Sequence, residues 1–284
     1  MSLAERPATR KRAGRTEVTA VDDGRVVTRR DRLATEEPLE IRAQGPGDST
    51  LRVAVTMRTP GNDWELAAGF LFTEGLIDGR DEIETIRYCS DVPVEQQFNV
   101  VTANLQHELD PERFQRNFYA TSSCGVCGKA AIEQLEVLAE PVAKGLVVSP
   151  HVVRTLPELL RGAQDVFDET GGLHATGLFT PSGELLLVRE DVGRHNAMDK
   201  LIGHELLDGR MPLRDRIALV SGRASFELVQ KAAVAGIPVL CAVSAPSTLA
   251  VDTARRLGIT LVGFLRGQRF NVYTHRDRIA LAEL

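Results

Sequence analysis

Ile217-Ala-Leu-Val220, Ile237-Pro-Val-Leu-Cys-Ala-Val243 and Ile259-Thr-Leu-Val-Gly-Phe-Leu265 decide the fold. Each is a short apolar run without polar alternation, the pattern of a strand buried on both faces. Between them, residues 226–235 and 248–257 read as helices, each followed by a glycine (Gly236, Gly258) suited to a helix C-terminus. The order β-α-β-α-β predicts parallel strands in an α/β arrangement.

Upstream of this unit, residues 176–179 and 184–189 flank Pro181-Ser182-Gly183 and predict a hairpin. Pro157 reads as the first residue of a helix that ends at Gly171-Gly172. Asp191 is a candidate cap for a helix carrying His195, Met198, Leu201, Ile202 and Leu206. A composition shift at Lys144-Gly145, followed by Ser149-Pro150, marks the expected boundary between residues 17–145 and residues 146–284. The first of these regions reads as a smaller α+β domain. It opens with a hairpin over 17–30 around Asp22-Asp23-Gly24. Strands follow at 39–43, 51–58, 82–88 and 98–103, with a helix from Asn62 or Asp63 through Leu71 and one helical turn at 111–115. Residues 1–16, with Arg6, Arg10, Lys11, Arg12 and Arg15 and no apolar stretch behind them, read as a disordered basic tail rather than a secretory signal.

In parallel sheets the ligand crevice lies beyond the carboxyl ends of the strands. The residues there are Ser221-Gly222-Arg223-Ala224-Ser225, Ser244-Ala245-Pro246-Ser247 and Arg266-Gly267-Gln268-Arg269. Small residues let backbone N–H groups approach a ligand, two helix starts add favourable dipole ends, and the arginines supply forked donors, so the pattern outlines a polyanion pocket. The plainer reading is that Ser225 and Ser247 cap helices while the arginines stay solvated. Neither a Walker lysine motif nor G-x-G-x-x-G occurs.

The pair Cys124-Gly-Val-Cys127 sits between glycines and serines just before the predicted helix 130–139. Three chemistries use such a pair. A structural zinc site would need Cys89 and His107 to converge on it. A dithiol oxidoreductase would place it after a strand. A persulfide carrier needs one low-pKa cysteine on a loosened segment, which Gly125, Gly128, Lys129 and the following helix favour. Cys241, inside an apolar run, reads as core. In Glu190-Asp191-Val192-Gly193-Arg194-His195-Asn196, His195 and Asp199 stand i,i+4 and could orient an imidazole or form a surface pair. No metal site is expected.

The net charge of −5 over 284 residues argues against a general nucleic-acid binder. No apolar run approaches the roughly 20 residues that span a bilayer. Four cysteines make no disulfide framework, and a reducing cytoplasm fits them.

Four stretches together resemble the formate dehydrogenase accessory sulfurtransferases of FdhD type. They are Thr121-Ser-Ser-Cys-Gly-Val-Cys-Gly-Lys129, Glu190-Asp-Val-Gly-Arg-His-Asn-Ala-Met-Asp-Lys200, Ser221-Gly-Arg-Ala-Ser-Phe-Glu227 and Gly263-Phe-Leu-Arg-Gly-Gln-Arg-Phe-Asn-Val-Tyr-Thr-His275. The resemblance implies a sulfur carrier that takes persulfide sulfur from a cysteine desulfurase and delivers it to the molybdenum bis(molybdopterin guanine dinucleotide) cofactor for formate dehydrogenase. It places the persulfide on Cys124, with Cys127 assisting, and the cofactor-binding segment on Phe264, Leu265, Arg266, Gly267, Gln268 and Arg269. Gly222, Arg223, Ser225, Ser244 and Ser247 join that site from the reading of the strand ends, and His195 from the polar stretch 190–196 at a helix entrance. The resemblance further implies a cytidine-deaminase-like fold for the C-terminal region and a homodimer. The zinc signature of the deaminases is absent from the sequence. The alternatives are a non-catalytic holder of the molybdenum cofactor and a dithiol oxidoreductase.

Overall fold

The computed structural model describes residues 11–47, 49–90, 93, 96–110, 139, 141–142 and 145–283. Cys124, Cys127, the helical turn expected at 111–115 and almost all of the helix expected at 130–139 lie outside the described residues.

Strands β1 (Ala13–Asp22) and β2 (Arg25–Ala34) form the first hairpin. Its turn holds Asp23 at φ 46° and Gly24 at φ 78°, the positive pair that a tight primed turn requires. From that turn the register runs unbroken to Ala13 opposite Ala34, so the segment read as a disordered tail is ordered strand from Ala13 onward. Strands β3 (Glu37–Gln44), β4 (Leu51–Arg58), β5 (Ile83–Tyr88) and β6 (Val100–Leu105) make a four-stranded sheet ordered β4-β3-β6-β5. Helix α1 (Asp63–Thr73) follows β4.

Beyond residue 145 the chain forms helices α2 (Pro150–Arg161) and α3 (Asp165–Thr170), then strands β7 (His174–Phe179) and β8 (Leu185–Asp191), then helix α4 (Arg194–Leu207). Strand β9 (Ile217–Val220), helix α5 (Phe226–Val234), strand β10 (Val239–Ala242), helix α6 (Thr248–Arg256) and strands β11 (Thr260–Arg266) and β12 (Arg269–Val272) complete it. The six-stranded sheet runs β12-β11-β10-β9-β7-β8. Strands β9, β10 and β11 are parallel, as their apolar runs predict, and β7, β8 and β12 are antiparallel to their neighbours.

The continuous apolar runs have a direct cause. Ile217, Leu219, Val239 and Cys241 pack with Val153, Leu156 and Leu160 of α2 on one face of the sheet. Ala218, Val220, Leu240 and Ala242 join a larger core on the other, shared with α1, α4, α5, α6 and the four-stranded sheet. The two sheets fall on either side of residue 145, and this larger core is continuous across it. Cys241 is fully buried, and burial pushes its thiol up to about 12, which makes it a small hydrophobe rather than a nucleophile.

Three local expectations change. Helix α2 starts at Pro150, with the Ser149 hydroxyl accepting from the His151 N–H at 3.3 Å, so Pro157 lies inside a helix instead of opening one. Gly171, at φ 66°, ends α3, a separate helix after a break at Gly162–Gln164. Gly193, not Asp191, caps α4, because the Asp191 carboxylate is buried and committed to Lys200 at 2.6 Å.

Candidate functional site at the carboxyl edge of the parallel strands

Parallel pairing brings the ends of β9, β10 and β11 to one sheet edge, and the loops that follow are joined by hydrogen bonds. The Ser244 N–H donates to the Gly222 carbonyl at 3.2 Å and the Ser247 N–H to the Ala224 carbonyl at 3.1 Å. The Phe264 N–H donates to the Ser244 carbonyl at 3.1 Å, and the Arg266 Nε–H donates to the Val243 carbonyl at 3.0 Å. All three predicted loops therefore form one surface.

The side chains on that surface divide by role. Ser247 behaves as a plain cap, its hydroxyl accepting from the Ala250 N–H at 3.1 Å. Ser225 occupies the corresponding position on α5 without capping it. Its hydroxyl is 3.0 Å from His195 Nε2 instead, so among the described residues no side-chain hydrogen bond reaches the N–H groups of the first turn of α5. The same Nε2 lies 2.9 Å from Glu227, and that hydrogen bond holds the Glu227 carboxyl below its usual range against the opposing effect of partial burial. Arg223, Arg266, Gly267, Gln268 and Arg269 are exposed, and neither Arg223 nor Arg269 forms an ion pair among the described residues. Leu265 is fully buried in the core and reaches the edge only through its backbone.

Phe264 has a left-handed backbone, φ 52°, within an irregularity of the β11–β12 pairing, and its ring remains 43% exposed. Such a conformation is uncommon for an aromatic residue and costs on the order of 1 kcal/mol. Next to it, a Cβ on Gly263 would stand 2.9 Å from Pro246 Cδ and 3.0 Å from the Tyr273 ring, so close packing against the β10 loop demands glycine there.

The polar motif at 190–200 is mostly structural. The Glu190 carboxylate accepts the Val166 and Phe167 N–H groups at 3.1 and 2.8 Å, capping α3. Asp191 accepts from the N–H groups of Gly193 and Thr59 at 2.8 and 3.0 Å and from Asn196 at 3.0 Å. Asp199 points into the core toward Thr73 (2.8 Å) and Lys231 (3.0 Å), so the expected His195–Asp199 pair does not form.

The structure adds two residues to the edge that sequence reading left aside. Strand β7 runs antiparallel to β9, which brings His174 beside Gly222, where a Cβ would meet its Nδ1 at 3.3 Å. Arg194, at the start of α4, closes the same corner, with Cδ 4.0 Å from that position. Burial, then Arg194 and His195, lower the His174 pKa against the opposing pull of Asp191. Only the way the β7–β8 hairpin joins the sheet could have pointed to them. A cleft of about 560 Å³ opens beside His174, Ser221 and Val243, walled by α2 and α3. His107, once a candidate zinc ligand, has both ring nitrogens engaged, by Glu82 at 2.6 Å and the Glu108 carbonyl at 2.9 Å.

This fold and edge can be set beside known proteins. The profile of the FdhD/NarQ family matches residues 34–280. The chain belongs to the FdhD/NarQ family. Among family members, the Sulfur carrier protein FdhD of Streptomyces avermitilis is 51% identical over 278 residues, covering 94% of this chain and 95% of that protein. The protein of the same name from Mycolicibacterium paratuberculosis is 51% identical over 271 residues, covering 93% and 98%. That of Sulfurisphaera tokodaii is 46% identical over 265 residues, covering 93% and 95%. A crystal structure of a protein from Desulfotalea psychrophila, assigned as a formate dehydrogenase accessory protein, superposes with a TM-score of 0.73 at 25% identity, covering 95% of this chain and all of that one. Among the described residues no helix is long and apolar enough to cross a membrane.

Proposed function

We propose that this FdhD/NarQ member is a sulfurtransferase that accepts persulfide sulfur on Cys124 from a cysteine desulfurase and passes it to the molybdenum bis(guanine dinucleotide) cofactor, in support of formate dehydrogenase. The relatives' shared name, sulfur carrier, supports the first half of this reading. The observation that carries the second is the joined edge of β9, β10 and β11. There no side chain among the described residues caps the first-turn N–H groups of α5, because Ser225 turns to His195, and Arg223, Arg266 and Arg269 stand exposed along the same edge. Pyrophosphate oxygens suit such donors, which match phosphate geometry and favour negative charge. The exposed ring of Phe264 and the backbone of Gly267 and Gln268 border the same surface. The cytidine-deaminase-like architecture belongs to this reading, with the deaminase chemistry left out.

In the transfer step the acceptor's electron pair forms the new bond to the outer sulfur of the Cys124 persulfide. The S–S bond breaks, and its electron pair departs on the Cys124 thiolate. The carrier thus returns to its starting thiolate, ready for reloading. Cys127, two residues beyond Gly125, is placed in sequence to close a disulfide on a stalled persulfide.

The test is formate dehydrogenase activity in cells whose own family member is deleted and replaced by this protein. Cys124→Ala is expected to abolish the activity. Full activity with that variant would overturn sulfur transfer in favour of simple cofactor holding.

A further inference from the structure

The β1–β2 ribbon is a two-stranded sheet of its own, so among the described residues no strand pairs with the outer edge of β1 or of β2. Each outer edge therefore presents a row of unpaired backbone donors and acceptors, and a lone hairpin of this kind is only marginally stable in water. Its root ties it to the body. There the Arg32 guanidinium meets Glu169 at 2.7 Å, Arg12 lies 3.8 Å from Glu190, and the Thr35 N–H donates to the Arg12 carbonyl at 2.9 Å. Beyond the root, β2 is exposed from Arg25 through Arg30, with Val26 70% exposed and Val27 47%.

The two edges differ in charge. Strand β2 carries Arg25, Arg29, Arg30 and Arg32 against Asp31, whose carboxylate already accepts the Arg32 N–H at 2.9 Å. Strand β1 carries Arg15 against Glu17 and Asp22. In the register Arg25 stands across from Asp22 and Arg30 from Glu17, yet Arg25, Arg29 and Arg30 form no ion pair among the described residues. Arg32 thus begins the row by taking a carboxylate, and three guanidiniums continue it without one. Alternation along the strand puts Arg25, Val27 and Arg29 on one face of the ribbon and Val26, Thr28 and Arg30 on the other. On either face an added strand finds a forked cation beside an apolar surface.

These features choose among occupants. A second copy adding β2 to β2 would bring two arginine rows together, and like charges on neighbouring strands are destabilising. An anionic bilayer or a nucleic acid would meet the Asp22 and Asp23 carboxylates, which stand exposed at the turn. An extended acidic segment meets neither obstacle. Its backbone completes the open ladder, and its carboxylates match the forked donors.

We propose that the outer edge of β2 takes an extended acidic segment of a partner protein as a third strand, with Arg25, Arg29 and Arg30 pairing its carboxylates and Val26 and Val27 packing beside its apolar side chains. The inference does not rest on the sulfur chemistry proposed above.

The experiment titrates the full chain with two synthetic decapeptides, one alternating glutamate with valine and one alternating lysine with valine, and follows calorimetry and amide exchange. The acidic peptide is expected to bind and to slow exchange over residues 25–31, and the basic peptide to do neither. Arg29→Glu combined with Arg30→Glu is expected to weaken the acidic peptide at least about tenfold, while Arg15→Glu on β1 changes its affinity by less than about threefold. Methylating every backbone nitrogen of the acidic peptide keeps its charge but removes its donors, and should also cost at least about tenfold. Undiminished binding of the methylated peptide would reduce the edge to a charged patch and overturn strand addition. Equal binding of the acidic and basic peptides, or unprotected amides at 25–31, would overturn it as well. So would protection of those amides by anionic vesicles in place of the peptide, or by concentrating the chain alone, which would give the edge to a lipid surface or to a second copy.

Discussion

Gly69 of α1 and Gly203 of α4 face each other where the helices cross, with their backbones nearly touching. A Cβ on Gly69 would stand 1.9 Å from the Asp199 carbonyl oxygen, and one on Gly203 would stand 1.8 Å from that of Glu65. Because α4 begins at Arg194 and His195, this crossing fixes one wall of the candidate site from a helix in the other half of the chain. Gly203→Ala is expected to destabilise the fold by about 1–3 kcal/mol or more, since neither backbone can yield. The denaturant midpoint measures it, and an unchanged midpoint would show that the crossing can relax.

Beside that crossing Glu65 accepts two hydrogen bonds from Arg189 and lies 3.1 Å from His204 Nδ1. Burial alone would raise its pKa, but the hydrogen bonds from His204 and Arg189 prevail and bring it from 4.5 to about 2. A pKa depressed by folding contributes stability above the unfolded value and loses it as pH falls toward the folded one. The contribution, on the order of 3 kcal/mol, should be complete above about pH 4.5 and gone below about pH 2. Unfolding free energy against pH should fall through that window in the wild type and less steeply in Glu65→Gln. Parallel curves would contradict the assignment.

Phe264 tests whether strain at the edge serves binding. Glycine adopts φ 52° without penalty, and the ring is 43% exposed, so Phe264→Gly should keep or raise stability by up to about 1 kcal/mol while weakening GDP. Thermal unfolding and calorimetry separate the two effects. Loss of stability with GDP affinity unchanged would make the residue structural only.

What could be read from the chain follows the physics of each element. Buried parallel strands announce themselves because both faces are apolar, so β9, β10 and β11 and the positions of the loops after them were legible. The Asp23-Gly24 turn was legible because its positive φ values leave few residue choices. Asp199 was not, since i,i+4 spacing places it on the His195 side of the helix, while Thr73 and Lys231, far away in sequence, draw it inward. His174 and Arg194 were not either, because their positions depend on how β7 joins β9, which spacing does not encode.

The central claim, sulfur carried on Cys124, is tested most directly by the intact mass of the protein after incubation with a cysteine desulfurase and cysteine. The account predicts a gain of one sulfur atom that reductant removes and that Cys124→Ala lacks. An equal gain in Cys124→Ala, or none in the unaltered chain, would contradict it.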